Sequence, residues 1–346
     1  MKNYVVIANP FVVYRHSYAD VMNMDNVRYI DSPKDVLHGI KLLLYNTLWG
    51  KSYISKGIRK MIKIIFPLLK LEIPDRSMWF HYIAEENYFK DNSSIKDAVF
   101  LISDYWLGVS TIPQSLRRKY PQARFVTHLC DLIESYLGNK DVKAIKETFD
   151  LILSFDRRDC VKYGFIYHPL VFSEYRGTLD NTMKYYDIYF LGHVKNRFTD
   201  IIKCFEKCWE LGLTTDFWLV GVPQAKQVYK DKIHYIDFMS YDENLQHVLH
   251  SKCELEIMQQ GGTGFTQRVC EVISMGKLLI TNNTSITETP FYNNSYILQI
   301  SSEEDITIDF AKRIKEMSQD TYVDYHYKDQ ISPISLLKLI EYKLGK

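Results

Sequence analysis

The chain alternates short apolar runs of strand length with longer stretches whose apolar positions recur every three or four residues. Residues 4–10 (YVVIANP) are an apolar run closed by Asn-Pro and read as a buried first strand, and residues 26–32 (NVRYIDS) as a second. Ser32 with Pro33 and Asp35 then signals a helix start, the hydroxyl as N-cap and the proline in the first turn. Runs at 97–104 (DAVFLISD), 123–129 (ARFVTHL) and 150–156 (DLILSFD) are further strands with helical patterns between them. The series restarts at 185–193 (YYDIYFLGH), followed by a helix at 197–213 that puts Ile201, Phe205, Cys208 and Trp209 on one face and is closed by Gly212. Strands at 215–221, 233–240, 253–259, 277–281 and 295–300 follow, with a helix at 241–252, another entering Gly276, and a last one capped by Ser302 and running through Lys315. Strands that alternate with helices predict parallel sheets covered on both faces.

Two such series in succession predict an α/β protein of two Rossmann-like, doubly wound domains facing a cleft. The 346 residues suit two domains. The seam falls in the polar, aperiodic stretch 172–184 (FSEYRGTLDNTMK), which gives a first domain at 1–176 and a second at 183–320. The helix at 332–346 has no strand after it, so residues 321–346 read as a C-terminal segment able to cross back to the first domain. In sheets of this kind ligands bind outside the carboxyl ends of the strands.

Composition narrows the class. Apolar residues are 46% and charged residues 25%, an ordinary globular balance that can bury a core without staples. Net charge is +1, which argues against wholesale nucleic-acid binding. The six cysteines contain no C-x-x-C pair and fit reduced thiols in a cytoplasm. The N-terminal apolar run is too short for a signal peptide, and no run is long enough to span a membrane. The expectation is a cytoplasmic protein. Residues 55–70 stand apart: Ile58, Met61, Ile62 and Ile65 share one face, with Lys56, Arg59, Lys60 and Lys63 opposite. Two readings stay open, a peripheral contact with the inner face of an anionic membrane, or a helix with its apolar face packed inward.

The candidate chemistry centres on residues 261–283 (GGTGFTQRVCEVISMGKLLITNN). Gly261, Gly262 and Gly264 permit close backbone approach, and the helix behind them turns unpaired N–H groups and a positive dipole end toward the loop, an anion site. Arg268 can add a charged fork to a phosphate, and Glu271, three residues on, can accept hydroxyl hydrogen bonds from a ribose. The plainer alternative is an Arg268–Glu271 ion pair on a solvated helix. Gly192 ends a strand, and Lys195 and Arg197 behind it can neutralise a diphosphate leaving group. The alternative for these two is a pair of solvated loop cations.

The second half resembles the donor-binding domain of two-domain (GT-B) glycosyltransferases. Many of these carry E-G-F-G-x-x-x-x-E-A-M-A-x-G-x-P-V-I, which here reads T-G-F-T-Q-R-V-C-E-V-I-S-M-G-K-L-L-I from Thr263 to Ile280. Gly264, Phe265, Glu271, Gly276 and Ile280 match; Thr263 replaces the first glutamate and Thr266 the second glycine. The resemblance covers about residues 185–300. It includes "YFLGHVKNR", similar to the opening of the donor domain, and "HYIDFMSYDENLQHVLHSKCELEIMQ", similar to the turn, helix and strand before the glutamate segment. Gly264-Phe265-Thr266-Gln267-Arg268-Val269-Cys270-Glu271 followed by GKLLITNN is also similar to bacterial surface-polysaccharide enzymes that carry a G-[LF]-T-x-R-x-x-E core followed by K-K-L-I-T-x-N. The resemblance implies that Glu271 holds the ribose of a nucleotide sugar, with Gly262, Thr263, Gly264, Phe265, Thr266 and Arg268 around it.

It also implies that the first domain takes the acceptor. An inverting reaction needs a base there, and the strand-end candidates are Asp104, His128, Asp131, Asp156 and Arg157, of which Asp104 and Asp131 are chosen. No D-x-D occurs, whereas glycosyltransferases of the other common fold hold a metal with that motif, so neither metal nor other cofactor is expected. The activity expected is transfer of a hexose from a nucleoside-diphosphate sugar, a UDP-sugar by preference, to a hydroxyl of a bacterial surface glycan, such as lipopolysaccharide, or to a lipid-linked acceptor. The alternatives are a nucleotide-sugar epimerase or phosphorylase of the same architecture, or a non-catalytic sugar or nucleotide binder.

Overall fold

A computed structural model describes residues 2–49, 53–69, 95–109, 112–134, 142–258 and 264–345. Two compact units divide the chain, one made of residues 1–15, 21–153 and 339–346, the other of 16–20 and 154–338. Two six-stranded sheets carry the architecture, with strand orders β2-β1-β3-β4-β5-β6 and β12-β11-β10-β7-β8-β9. The α/β class and the two doubly wound sheets are those the periodicity predicts.

The first sheet comprises β1 (Tyr4–Ile7), β2 (Val27–Ile30), β3 (Val99–Ser103), β4 (Arg124–Leu129), β5 (Leu151–Ser154) and β6 (Ile166–Tyr167). Strands β2, β1, β3 and β4 run parallel, with Val6 opposite both Tyr29 and Leu101. β1 and β5 are buried along their whole length, as strands covered on both faces must be. Phe100 stacks on Phe125 at 5.0 Å between ring centroids and on Tyr120 at 5.4 Å, and this aromatic layer anchors the core of that sheet. Two short elements differ from expectation. Ser32 does cap, and it forms a capping box with Asp35, but the turn it opens is only the 3-10 turn Pro33–Asp35. β6 has two residues, too few for any periodicity to announce it.

The second sheet comprises β7 (Tyr186–His193), β8 (Thr215–Val220), β9 (Ile233–Ile236), β10 (Ser251–Glu256), β11 (Leu278–Thr281) and β12 (Ile297–Gln299), all parallel. Helix Phe198–Glu210 buries Ile201, Ile202, Cys204, Phe205 and Cys208, the spacing of one face, and Phe205 packs edge-on to Phe217 of β8 at 5.3 Å. The last helix is a correction: Ser302 caps the 3-10 turn Glu303–Asp305, and a separate helix, Ile308–Glu316, starts under its own cap, Thr307. All six cysteines are free.

His168 is buried in the second unit. Its Nδ1–H donates to the carbonyl of Pro169 at 2.8 Å, and Nε2 lies 3.1 Å from Ser335 Oγ. Burial lowers its pKa from 6.5 to about 4. The unfolded chain therefore binds a proton that the folded one refuses. The stability tied to His168 is complete above about pH 6.5 and is lost as pH falls toward 4. Between pH 7 and 5 the loss amounts to about 2 kcal/mol. Urea melts at the two pH values should show this difference shrinking in His168→Gln. An unchanged difference would mean that other groups carry the acid sensitivity.

Candidate functional site

β7 and β10 are the neighbours at which the strand order of the second sheet reverses: β8 and β9 lie beyond β7, β11 and β12 beyond β10. Connections leaving two such strands part to opposite faces and open a crevice outside their carboxyl ends, the place where doubly wound sheets take ligands. The residues singled out from the sequence leave these same two strands. Gly192 lies within β7 with Lys195 and Arg197 just after it, and Gly264, Phe265, Thr266, Arg268 and Glu271 follow β10. Gly262 and Thr263 lie outside the described residues.

Two guanidinium groups stand at this point. Arg197 donates through Nη1 to the carbonyl of Ile257 and through Nη2 to that of His193, which ties the loop after β7 to the end of β10. Its buried Nε has no partner among the described residues. Arg268 donates through Nη2 to the carbonyl of Leu191, lies over the ring of Phe190 and sets its Nε 3.4 Å from Glu254 Oε2. Burial and the neighbouring Arg268 lower the pKa of Arg197, with Glu256 opposing. Two cations held this close by backbone carbonyls form a fixed positive field of the kind that favours an anion. Lys195 is exposed and takes a left-handed φ of 45°, which only a tight connection imposes on a lysine.

Helix Gln267–Met275 carries the central carboxylate. Every residue from Val269 to Met275 is buried, so the reading of a solvated helix with an Arg268–Glu271 pair does not hold. Glu271, 5% exposed, accepts from the hydroxyl of Tyr241 at 2.6 Å and from Asn244, which itself accepts from Tyr189 at 2.9 Å. Burial raises the pKa of Glu271, while Tyr241, Arg268 and Asn244 pull it down. A carboxylate has about four lone-pair sites, so two such donors leave it able to accept more. Tyr241 and Asn244 belong to helix Tyr241–Leu249, and nothing in the spacing of the sequence joins them to Glu271.

The loop before the helix is built by its neighbours. Thr266 is the N-cap by backbone only; its hydroxyl donates to Glu256 instead, and Thr281 donates to the other oxygen of Glu256 at 2.5 Å. Asn282 accepts from the N–H of Met258 at 2.6 Å, and Asn283 donates to the carbonyl of Gly264 at 3.3 Å. The Thr-Asn-Asn run that ends β11 and follows it thus holds the loop after β10. Asp156 caps helix Arg157–Tyr163 and also accepts from the N–H of Gly264 at 3.2 Å. A Cβ on Gly264 would meet the Phe155 ring at 2.5 Å and the Phe155 carbonyl at 3.0 Å, so this close approach requires glycine. Phe265 is buried edge-on to Phe291.

Behind the helix lies a buried ionic layer that the sequence reading missed. Glu254 and Glu256 are both fully buried on one face of β10, and Lys277 is nearly so. Neither oxygen of Glu254 has a hydrogen-bond partner among the described residues. Burial, with Glu271 adding, holds its carboxyl well above the usual range, against Arg268 and Lys277. Burial also lowers Lys277 to about 8, its Nζ donating to the Leu249 carbonyl at 2.8 Å. The signal was present in "CELEIMQ": two glutamates two residues apart in an otherwise apolar buried strand need cations or hydrogen-bond donors facing them.

The two acceptor-side candidates belong to the other unit and differ sharply. Asp104 is buried just past β3, with its carboxylate accepting from the N–H groups of Tyr105 at 2.8 Å and Cys130 at 2.5 Å. Asp131, after β4, is exposed and accepts from the N–H of Leu132 at 2.8 Å. His128 is buried, and Arg157 stacks over Tyr167. Among the described residues no group of three or more His, Cys, Asp or Glu side chains is arranged for a metal ion. No described helix is long and apolar enough to cross a membrane.

No protein-family model and no curated protein matches the sequence. Solved structures do. An α-glucosyltransferase in complex with UDP and a 13-mer DNA containing an HMU base superposes with a TM-score of 0.52 and 11% identity, over 99% of this chain and 98% of that one. OtsA in its apo form superposes with a TM-score of 0.50 and 11% identity, over 99% of each chain. At this identity the likeness is one of fold, and over nearly its whole length the chain has the GT-B glycosyltransferase fold.

Proposed function

We propose that the protein is a glycosyltransferase that moves a hexose from a nucleoside-diphosphate sugar to a hydroxyl of a bacterial surface glycan or lipid-linked acceptor. In this reading residues 183–320 hold the donor and residues 1–176 the acceptor. The observation that carries it is the position of Glu271. A buried carboxylate, held by Tyr241 and Asn244 and felt by Arg268, with Arg197 at the same β7–β10 switch point, is complementary to a ribose diphosphate. The ribose hydroxyls donate to Glu271. The diphosphate lies against the N-terminus of helix Gln267–Met275 with Arg197, Lys195 and Arg268. As the glycosidic bond breaks, the charge developing on the leaving diphosphate is stabilised by these fixed donors, so that no metal is required. UDP is the preferred leaving group, in keeping with the UDP held by the glucosyltransferase of the same fold.

We assign the acceptor base to Asp131, whose carboxylate is exposed, and give Asp104 the part of fixing the loops after β3 and β4. Melting curves with UDP-, GDP- and dTDP-sugars test the donor, since a ligand bound only by the folded state raises its stability. UDP-sugars should raise the melting temperature, and failure of all three would remove the transferase reading. Release of UDP that requires an added glycan acceptor separates transfer from simple binding. With such an acceptor in hand, Asp131→Asn should lower turnover by about 100-fold or more and leave UDP binding unchanged.

A further inference from the structure

The first unit carries a two-helix hairpin, Gly39–Trp49 against Tyr53–Leu68, that has almost no inside. The helices meet along a narrow seam. Arg59 donates to the Leu48 carbonyl at 2.8 Å and lies over the Trp49 ring, Ser55 donates to the Asn46 carbonyl at 3.3 Å, and Ile58 and Ile62 are half-buried beside them. No residue of the first helix is buried. Of the apolar face expected for 55–70, Ile58 and Ile62 are half-buried in the seam while Met61 and Ile65 lie exposed, so that face is only partly covered. The large apolar side chains that remain in water are many and adjacent in sequence and helix turn: Ile40 is 76% exposed, Leu43 65%, Ile54 75%, Met61 60%, Ile64 58% and Leu68 77%. Single exposed apolar residues are normal, but a set of this size on one element marks a surface that is covered in use.

Charge identifies what covers it. Residues 39–69 contain Lys41, Lys51, Lys56, Arg59, Lys60 and Lys63 and no acidic residue. The chain as a whole has 43 basic and 42 acidic residues, so everything outside the hairpin has 37 basic against 42 acidic and is net negative. A protein partner or a second copy of this chain would meet the hairpin with its own mixed charges. An anionic bilayer offers a continuous negative plane above an apolar interior. Lysine stems can lie along that boundary with their ammonium groups among the headgroups while the leucines and isoleucines enter the acyl region.

We propose that the hairpin 39–69 is a docking element for an anionic lipid surface, with both helices lying in the interface. The proposal stands independently of the chemistry assigned to the second unit. Flotation of the full-length protein with vesicles of phosphatidylcholine containing phosphatidylglycerol, and with phosphatidylcholine alone, tests it. Binding should be confined to the anionic vesicles and should weaken as salt is raised. Reversing three charges together (Lys56→Glu, Lys60→Glu, Lys63→Glu) should lower partitioning by at least about tenfold. Leu43→Ser with Ile64→Ser should also release the protein, even at low salt. All five positions are exposed, so these variants should melt with the parent. No binding to anionic vesicles at low salt, or binding that the substitutions leave intact, would overturn the proposal. So would sedimentation showing a self-associated species that the same substitutions dissociate, since the face would then be an interface between copies.

Discussion

Replacing Gly276 by alanine is expected to lower stability by about 2–4 kcal/mol. Gly276 ends helix Gln267–Met275 with a φ of 63°, and its N–H bonds back to the Val272 carbonyl. Two separate costs follow from adding one methyl group. The left-handed conformation disfavours any residue with a Cβ, by about 1–2 kcal/mol. The Cβ would also lie 2.3 Å from a ring carbon of Tyr322, so the ring must move. Tyr322 is nearly half exposed and can swing outward, which limits the second cost but removes packing over the helix end. Denaturant melts of Gly276→Ala, Tyr322→Ala and the double variant separate the two. The double variant should remove the clash and retain about 1–2 kcal/mol of backbone strain. If Gly276→Ala melts like the parent, the turn at 276 is not the one described.

Glu271→Ala is expected to weaken UDP binding by roughly 100- to 1000-fold, the loss of two charge-assisted hydrogen bonds to ribose hydroxyls. The side chain touches Tyr241 and Asn244, so its removal also leaves buried donors unsatisfied. Glu271→Gln is the informative partner variant. It keeps an acceptor for the Tyr241 hydroxyl but offers the ribose a neutral amide, and should lose most of the affinity with little loss of stability. Calorimetric titration with UDP reads the affinity, and a urea melt reads the fold. UDP binding equal to the parent in both variants would move the ribose away from Glu271.

Much of this architecture was legible in the chain. Of the twelve described strands, ten fall inside apolar runs visible in the sequence and β10 begins two residues before its run, because parallel strands buried on both faces are mostly apolar. The missing one, Ile166–Tyr167, is too short to carry a pattern. Gly212 and Gly276 both lie at left-handed helix ends, as their places after periodic segments required. The glycine–threonine–arginine–glutamate spacing was enough to point to one loop and one helix. The Ser302 cap was misread because two capping signals, Ser302 and Thr307, lie five residues apart and the sequence does not say which one a helix continues from.

The rest depended on contacts between residues far apart in the chain. Which donors hold Glu271, that Arg268 faces Glu254 rather than Glu271, and that Arg197 links two strand ends are set by the strand order, because β7 and β10 are neighbours in the sheet yet separated by β8 and β9 in sequence. The sheet that makes them adjacent also excludes water, and this is what leaves Glu254 facing Arg268 and Glu256 held by the hydroxyls of Thr266 and Thr281. The hairpin shows the converse. Its amphipathic period was plain from residues 55–70, but whether the apolar face turns to the core or to the outside depends on what packs against it. Local periodicity specifies a face, and only tertiary packing specifies what that face meets.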